Sequence, residues 1–243
     1  MKPNIVEFKV TGRYALFTDP VNKVGGEKFT YQVPTYQAVK GILESVYWKP
    51  TFVWIVDKIR IMNPIRSQSQ GVRPITYSGS GSKKNTLSIY TYLKDVEYHV
   101  QAHFEWNMCR QELEVDRNEN KHHNIAKRCI LKGGRRDIFL GTRECQGYVE
   151  PCQFDEGYGY YDNSGEIPLG IMFHGFTYPD ENAGKMFIAR LWRATMVNGI
   201  ITFPHPDECT LQRILAKGII KQFSPEDIVK AVDFDLRKEF GGE

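Results

Sequence analysis

The amino-acid sequence predicts an α+β protein with two parts: a split βαβ domain with a long insertion in residues 1–150, and a small antiparallel β-sheet region with a terminal helical tail in residues 151–243. Three observations support this prediction. Hydrophobic periodicity gives the order strand, helix, strand, strand, helix, strand along the first part. Alternation of apolar and polar residues is strongest in residues 96–106. Around residues 152–165 the composition shifts to Gly, Tyr and Asp, which indicates a boundary.

The first strand, helix and second strand are predicted from residues 6–62. Apolar and polar residues alternate in residues 6–10, as in a half-buried strand. Apolar residues in 39–46 follow the i, i+3, i+4, i+7 spacing of a one-faced helix. Because Pro50 disfavours a helical residue before it, the helix should end near residue 49, with Tyr47 in its last turn. Residues 52–62 are rich in β-branched and aromatic residues and predict the second strand.

The second half of the pattern repeats strand, helix, strand. Residues 96–106 predict an antiparallel-type strand with one polar face, on which His99 and His103 are expected as ordinary surface residues. Residues 118–134 hold a helix between an Asn cap and a pair of glycines, and residues 138–141 predict the fourth strand. This order is that of ferredoxin-like and RRM-type domains, which carry many unrelated functions.

The insertion and the second part are predicted from turn residues and short apolar runs. Residues 63–88 form a long, basic, turn-rich insertion, and loops of that length inside compact domains are usually functional or mobile. Strands are predicted at residues 169–178 and 186–197. Asn198-Gly199 is a two-residue hairpin signal that leads into another short strand. Residues 224–227 have the cap, proline and acids of a helix start.

The composition narrows the class of protein. A hydrophobic content of 41% and a charged content of 25% are typical of a soluble globular protein. No apolar run reaches membrane-spanning length and the N-terminus has no apolar leader, so we expect a cytoplasmic protein without a membrane partner. Five cysteines without a C-x-x-C pair argue against a zinc site or a disulfide framework. We expect no metal and no cofactor.

The basic residues are clustered although the net charge is only +3. Residues 121–136 contain six basic residues, two histidines and no acid. Residues 65–84 contain Arg66, Arg73, Lys83 and Lys84, again without an acid. A basic face on a nearly neutral protein suits a polyanionic partner such as RNA. The alternative is a solvated helix and loop.

Lys121-His122-His123 is the segment best suited to chemistry. Cutting RNA without a metal needs a base for the 2′-OH, an acid for the departing 5′-oxygen and positive charge at the phosphorane. Histidine can serve as acid or base, and lysine can stabilise the phosphorane charge. Tyr47, at the end of the first helix, can meet Lys121 and His122, at the start of the second, at one end of the sheet. Taken alone, these residues also fit a surface helix start and a packing tyrosine.

Short motifs that run in the same order through nearly the whole chain extend this interpretation. Together they closely resemble those of the type I-C (Dvulg subtype) CRISPR-associated endoribonucleases of the RAMP superfamily. They are residues 14–20 (YALFTDP), 33–38 (VPTYQA), 47–50 (YWKP), 71–75 (GVRPI), 90–96 (YTYLKDV), 121–122 (KH), 134–141 (GRRDIFLG), 143–148 (RECQGY) and 174–176 (HGF).

The resemblance implies a function and a set of site residues. Members of that family cut precursor CRISPR RNA at the 3′ base of the repeat hairpin and stay in the surveillance complex. Their catalytic tyrosine matches Tyr47, and their lysine and histidine match Lys121 and His122. Their glycine-rich loop corresponds to residues 133–141. We expect attack by the 2′-OH, giving a 2′,3′-cyclic phosphate. The RNA-binding residues we expect are His123, Arg66, Arg73, Lys127, Arg135, Arg136 and Arg143. Because some relatives have tyrosine at the position of His123, this residue is either a substrate contact or a bystander.

Two other functions fit parts of the same pattern. A non-catalytic subunit that binds the 5′ end of the CRISPR RNA would share every binding feature and differ only at Tyr47, Lys121 and His122. A divalent-metal-dependent DNA nuclease would need clustered carboxylates, which are scarce in this sequence.

Overall fold

The computed structural model describes residues 4–19, 27–73, 87–184 and 186–217. The predicted helix start at 224–227, together with Lys83 and Lys84, lies outside these ranges. The described chain is mostly antiparallel sheet with few helices: eleven strands in one sheet, two α-helices and two short 3₁₀ helices. The strands are β1 Val6–Ala15, β2 Lys28–Phe29, β3 Phe52–Ile61, β4 Ser67–Val72, β5 Ser88–Trp106, β6 Ile138–Phe139, β7 Gln146–Pro151, β8 Glu166–Thr177, β9 Met186–Val197, β10 Ile200–Thr202 and β11 Leu211–Lys217; the helices are α1 Tyr36–Val46 and α2 Glu119–Leu131.

The four strands that carry the helices lie side by side in the order β3-β5-β1-β7, and each neighbouring pair is antiparallel. Along the chain α1 lies between β1 and β3, and α2 lies between β5 and β7. Both helices contact the sheet and each other. This packing brings the C-terminal end of α1 close to the N-terminal end of α2.

The apolar stripe of α1 is buried in the core, as its spacing predicts. Val39, Ile42, Leu43 and Val46 are each at most 4% exposed. Thr35 caps the helix: its hydroxyl accepts a hydrogen bond from the Ala38 N–H at 3.2 Å. The predicted strands from residues 52–62 and 186–197 correspond closely to β3 and β9.

The fourth strand of the pattern is not the one predicted. Residues 138–139 make only a two-residue strand, and β7 is the strand that pairs with β1. The apolar run ends because Gly141 adopts φ +97°, where a Cβ would overlap the Leu16 carbonyl. The Leu140 N–H then donates to Cys145 O at 2.7 Å and closes a tight loop. Ile138 and Leu140 are buried, but the run ends in a turn and does not continue as a long strand.

The prediction that one face of β5 is polar and exposed is also wrong in part. His99 and His103 are 4% and 1% exposed, because other segments cover this face. The His99 ring lies 3.1 Å from Phe154 O, and His103 Nδ1 lies 2.8 Å from the Asp57 carboxylate. The strand also starts earlier than predicted, at Ser88, and pairs with β4. The predicted insertion, residues 63–88, is therefore partly sheet where the structure describes it, at β4 and at the first residue of β5.

The C-terminal strands continue the same sheet. Asn198 and Gly199 have φ values of 48° and 76° and form the predicted two-residue turn between β9 and β10. β10 pairs with β3, which joins the later strands to the earlier ones. The division into parts at residue 150 stays a prediction. Within the described ranges, no helix combines the length and the apolar content needed to cross a bilayer.

Candidate active site

Tyr47 occupies the position just after α1. Its φ and ψ are −159° and 126°, so the backbone leaves the helix at this residue and α1 ends at Val46, two to three residues before the predicted end at residues 48–49. The Tyr47 N–H donates to Leu43 O at 2.8 Å, while the Tyr47 carbonyl accepts from the Trp54 indole N–H at 2.7 Å. Hydrogen bonds to both backbone polar groups of Tyr47 therefore hold its ring at one end of the sheet.

His122 lies in the first turn of α2 and points into the core. Asn118 caps this helix: its side-chain oxygen accepts from the Lys121 N–H at 3.0 Å. The His122 side chain is 0% exposed. Its Nδ1 lies 2.8 Å from Tyr47 Oη. Rings at centroid distances of 5.3 to 6.3 Å surround the imidazole: those of Tyr47, Phe52, Phe104 and Trp106.

The hydrogen bonds of His122 define its tautomer. Its Nε2 lies 2.7 Å from the backbone carbonyl of Asp116. A carbonyl oxygen can only accept, so Nε2 carries the hydrogen. In a neutral imidazole of this tautomer, Nδ1 has a free lone pair that can accept the Tyr47 O–H. The phenol and the imidazole are thus linked in a defined direction.

Asp116 is the residue that the sequence reasoning missed. In the structure its carboxylate lies 2.5 Å from Lys121 Nζ and accepts from the Thr51 hydroxyl at 2.8 Å. It also lies 3.4 Å from His122 Nε2. The hydrogen bond from Lys121, then that from Thr51, holds the Asp116 pKa below its ordinary value, so the carboxylate is ionised at neutral pH.

The predicted residues differ sharply in exposure. Tyr47 and His122 are 1% and 0% exposed, whereas the Lys121 side chain is 51% exposed. Burial raises the pKa of the Tyr47 phenol, and the nearby Asp116 carboxylate adds to the effect. Tyr47 is therefore a neutral proton donor at ordinary pH. Asp116 connects the exposed ammonium to the buried pair.

Two of the predicted RNA-binding arginines lie beside this cluster. The Arg135 guanidinium is 5.9 Å from the centre of the Tyr47 ring. The backbone N–H groups of Arg135 and Arg136 donate to Val46 O and Ser45 O at 3.2 and 3.1 Å, which fixes their loop on the end of α1. Both side chains are exposed.

The other predicted RNA-binding residues on α2 have different surroundings. Lys127 is exposed. His123 is half-buried, and its Nε2 lies 3.0 Å from Ile5 O, which makes it the donor in a hydrogen bond to the backbone. That bond occupies one of the two ring nitrogens.

Arg66, Arg73 and Arg143 are exposed; the first two flank β4, and Arg143 lies between β6 and β7. Val72, next to Arg73, pairs with Ser88 at the start of β5, whereas Phe104, beside His122, is near its end. At about 3.3 Å per residue the strand would place these ends roughly 50 Å apart. The structure groups Arg135 and Arg136 with Tyr47 and His122, and it places Arg73 far from them.

The described residues include no cluster of three or more His, Cys, Asp or Glu side chains arranged to hold a metal ion.

Comparison with known proteins identifies similar sequences. A family model described as CRISPR-associated protein Cas5, of the Cas5d type, matches residues 5–204. The chain is 29% identical over 236 residues to the CRISPR pre-crRNA endoribonuclease Cas5d of Mannheimia succiniciproducens, covering 83% of this chain and 95% of that protein. It is 30% identical over 158 residues to the protein of the same name from Thermus thermophilus, covering 60% of this chain and 63% of that one.

Two solved structures share the fold at higher identity. One is the crystal structure of a CRISPR-associated protein, with a TM-score of 0.70 and 37% identity. The other is that of a functionally uncharacterized protein from Streptococcus mutans, with a TM-score of 0.67 and 37% identity. Each comparison covers 86% of this chain and 96% of the other chain. The mostly antiparallel architecture is thus common to these proteins.

Proposed function

The chain belongs to the Cas5d family of CRISPR-associated proteins, and on that premise we propose that it is an endoribonuclease that cuts precursor CRISPR RNA at the base of the repeat hairpin. The cut product then stays bound, and the protein acts as a subunit of the type I-C surveillance complex. Two relatives carry the name CRISPR pre-crRNA endoribonuclease, which supports the reaction type. The antiparallel order β7-β1-β5-β3 with its two helices supports a ferredoxin-like split βαβ unit as the scaffold.

The observation that carries the proposal is the 2.8 Å hydrogen bond between Tyr47 Oη and His122 Nδ1. Residues 75 positions apart in the chain bring a phenol and an imidazole together, with the Lys121 ammonium joined to them through Asp116. A proton acceptor, a proton donor and a cation are the groups that metal-independent RNA cleavage requires.

In the proposed reaction the 2′-OH upstream of the scissile phosphate attacks phosphorus in line. The P–O5′ bond breaks, and the products are a 2′,3′-cyclic phosphate and a 5′-OH. Lys121, the exposed cation, stabilises the negative charge of the phosphorane. Tyr47 and His122 transfer protons along their hydrogen bond. No metal takes part in these steps.

Because Tyr47 and His122 are both buried, the groups covering them must move when RNA binds. Arg135 is one such group: it lies over the Tyr47 ring with its side chain exposed, so a phosphate can draw it outward. Arg136 would hold the neighbouring backbone. His123, Lys127, Arg66, Arg73 and Arg143 are the further proposed contacts along a larger RNA surface.

The test is a cleavage assay on a repeat hairpin in the presence of EDTA. Wild-type protein should cut, and end-group analysis should find the cyclic phosphate and the 5′-OH. Lys121→Ala should cut about 100-fold more slowly or worse, because one stabilising cation is lost. Lys9→Ala is the matched control: Lys9 also pairs with a carboxylate, that of Glu150 at 2.8 Å, but this pair joins the neighbouring strands β1 and β7.

The alternatives predict different products in the same assay. If wild-type protein binds the hairpin but releases no fragment, only the role of a binding subunit is left. If cutting needs Mg²⁺ and acts on duplex DNA, the metal-dependent nuclease replaces the proposal.

A further inference from the structure

We propose that Asp116 is a positioning residue of this site, acting through His122 and Lys121. This inference rests on the proposed function and goes beyond the tyrosine, lysine and histidine that the resemblance implies. Asp116 is the point where three elements meet: Thr51 precedes β3, Lys121 and His122 belong to α2, and Asp116 itself ends the 3₁₀ helix Gln111–Asp116.

The backbone and the side chain of Asp116 have separate effects on His122. The carbonyl, 2.7 Å from Nε2, holds the tautomer whose Nδ1 accepts the Tyr47 O–H. The carboxylate, 3.4 Å from Nε2, supplies negative charge. When Nδ1 takes a proton, the ring becomes a cation inside an aromatic environment, which is unfavourable without a counter-charge. In the described chain no other Asp or Glu lies within 4.0 Å of the His122 nitrogens.

The proton path that follows is balanced. The 2′-OH proton passes to Tyr47 Oη while the proton of Tyr47 passes to His122 Nδ1, and the 2′-oxygen forms its bond to phosphorus. The 5′-oxygen leaves and takes a proton from the Lys121 ammonium. The extra proton then returns along the same hydrogen bond: His122 gives its proton back to Tyr47, and the proton that Tyr47 releases passes through solvent to Lys121. Asp116 stabilises His122 while it is charged, in the manner of the acid behind a catalytic histidine.

The position of Asp116 is maintained by these polar contacts and not by core packing. The 3₁₀ helix Gln111–Asp116 contains no buried residue. Asp116 itself is half-buried, and its carboxylate is held by the Thr51 hydroxyl on one side and by Lys121 on the other. Glu114, two residues earlier on the same 3₁₀ helix, is exposed. An acid that served only to solubilise this segment would resemble Glu114.

The decisive variant is Asp116→Asn, which keeps the backbone carbonyl and the side-chain size but removes the charge. We expect the single-turnover cleavage rate to fall about 10- to 100-fold, the range expected for losing one contact to a charged group. Hairpin affinity should stay the same or rise, because Lys121 is freed to meet a phosphate. Glu114→Gln, with the same charge change on the same 3₁₀ helix, should leave both quantities within about twofold.

A second variant separates positioning from folding. Thr51→Val removes the hydroxyl that anchors the carboxylate and should lower the rate in the same direction by a smaller factor. Its effect should not add to that of Asp116→Asn, because both act through one carboxylate. Circular dichroism melting checks that each variant is folded.

Each remaining outcome counts against the inference. If Asp116→Asn cuts at the wild-type rate, the carboxylate has no positioning role, although the proposed function stands. If it cuts faster, the carboxylate obstructs the site. If wild-type protein itself cuts no hairpin, the proposed function fails and this inference fails with it.

Discussion

His122 shows how the surroundings of a single side chain decide what it can do. This ring is buried among aromatic side chains and both of its nitrogens are hydrogen-bonded. The backbone carbonyl of Asp116 makes it a directed acceptor for Tyr47. Lys121, its neighbour in sequence, is half in solvent. Adjacent residues in one helix turn therefore have separate proposed tasks: Lys121 meets the RNA, while His122 works behind Tyr47.

Tyr47→Phe tests the proposed proton path at the scale of one atom. The ring keeps its packing but loses the hydroxyl that donates to His122. We expect cleavage to fall about 10²- to 10⁴-fold, the range for removing a general acid or base, while hairpin binding changes little. Cleavage rate and affinity are measured on the same preparation.

Tyr36→Phe is the matched control for this change. Tyr36 is also buried, lies at the other end of α1, and its hydroxyl donates to Trp54 O at 3.3 Å. Tyr36→Phe should lower the free energy of unfolding but leave the cleavage rate within about twofold of the wild-type rate. Equal rates for Tyr47→Phe and wild type would contradict the assigned role.

At the scale of elements, the loop after α2 determines what surrounds the end of α1. Gly133 and Gly134 have φ values of 79° and 107° and end the helix in the left-handed region. The next two residues then hydrogen-bond to the last carbonyls of α1. Gly141 adopts φ +97° against the Leu16 carbonyl, where no side chain fits. The loop is thus held at both ends, and its two arginines are presented beside Tyr47.

The double variant Arg135→Ala, Arg136→Ala tests this loop as a proposed phosphate contact. Hairpin binding should weaken, and the slope of log affinity against log salt should become shallower by about one to two units, as expected for two lost phosphate contacts. Filter binding or anisotropy at four salt concentrations gives the slope.

The control is the double variant Arg193→Ala, Arg213→Ala, which removes the same charge from exposed positions on β9 and β11. It should leave the slope of log affinity against log salt nearly unchanged. Normal binding by the Arg135, Arg136 variant at raised salt would show that the RNA follows another surface.

At the scale of the whole molecule, the later strands are joined to the earlier ones by the sheet and by a partly buried ion pair. β10 pairs with β3. Arg60 of β3 is 7% exposed and lies 2.7 Å from the Asp162 carboxylate, in the segment that follows β7. Its other donors reach the carbonyls of Glu156 and Gly157. This arginine therefore links the two predicted parts of the chain.

The Arg60–Asp162 pair predicts a pH dependence of stability. The hydrogen bond from Arg60 lowers the Asp162 pKa below its ordinary value. The contribution of the ion pair to the free energy of unfolding is therefore complete above the ordinary aspartate pKa. It is lost as the pH falls through the lower pKa of Asp162 in the folded protein. Asp162→Asn should lower Tm at pH 7 by about 2–4 °C, for a loss on the order of 1 kcal/mol. The difference from wild type should shrink below about pH 4.

Calorimetry from pH 7 to pH 3 measures this difference. Asp95→Asn is the control, because Asp95 is exposed and its nearest cation, Lys94, is 4.0 Å away. If the Tm difference between Asp162→Asn and wild type does not change with pH, the ion pair does not make stability depend on pH.

Local patterns in the sequence predicted the elements whose burial is periodic. The stripe on α1, the strands β3 and β9 and the Asn198-Gly199 turn are found where they were expected, because period and turn chemistry depend on near neighbours. The ordered motifs also predicted the family, which the match over residues 5–204 confirms. The roles of Tyr47, Lys121 and His122 stay predictions.

Contacts between distant segments could not be found in this way. That His122 is sealed among aromatic rings, that Asp116 joins it to Lys121, and that His99 and His103 lie beneath other segments all depend on strand register and on how the helices pack. An alternating strand specifies which side chains share a face, but whether that face meets water is decided by segments that arrive from elsewhere in the chain. For this protein the sequence alone determined the periodic elements and the family, and the tertiary structure decided which side chains meet and which are reachable.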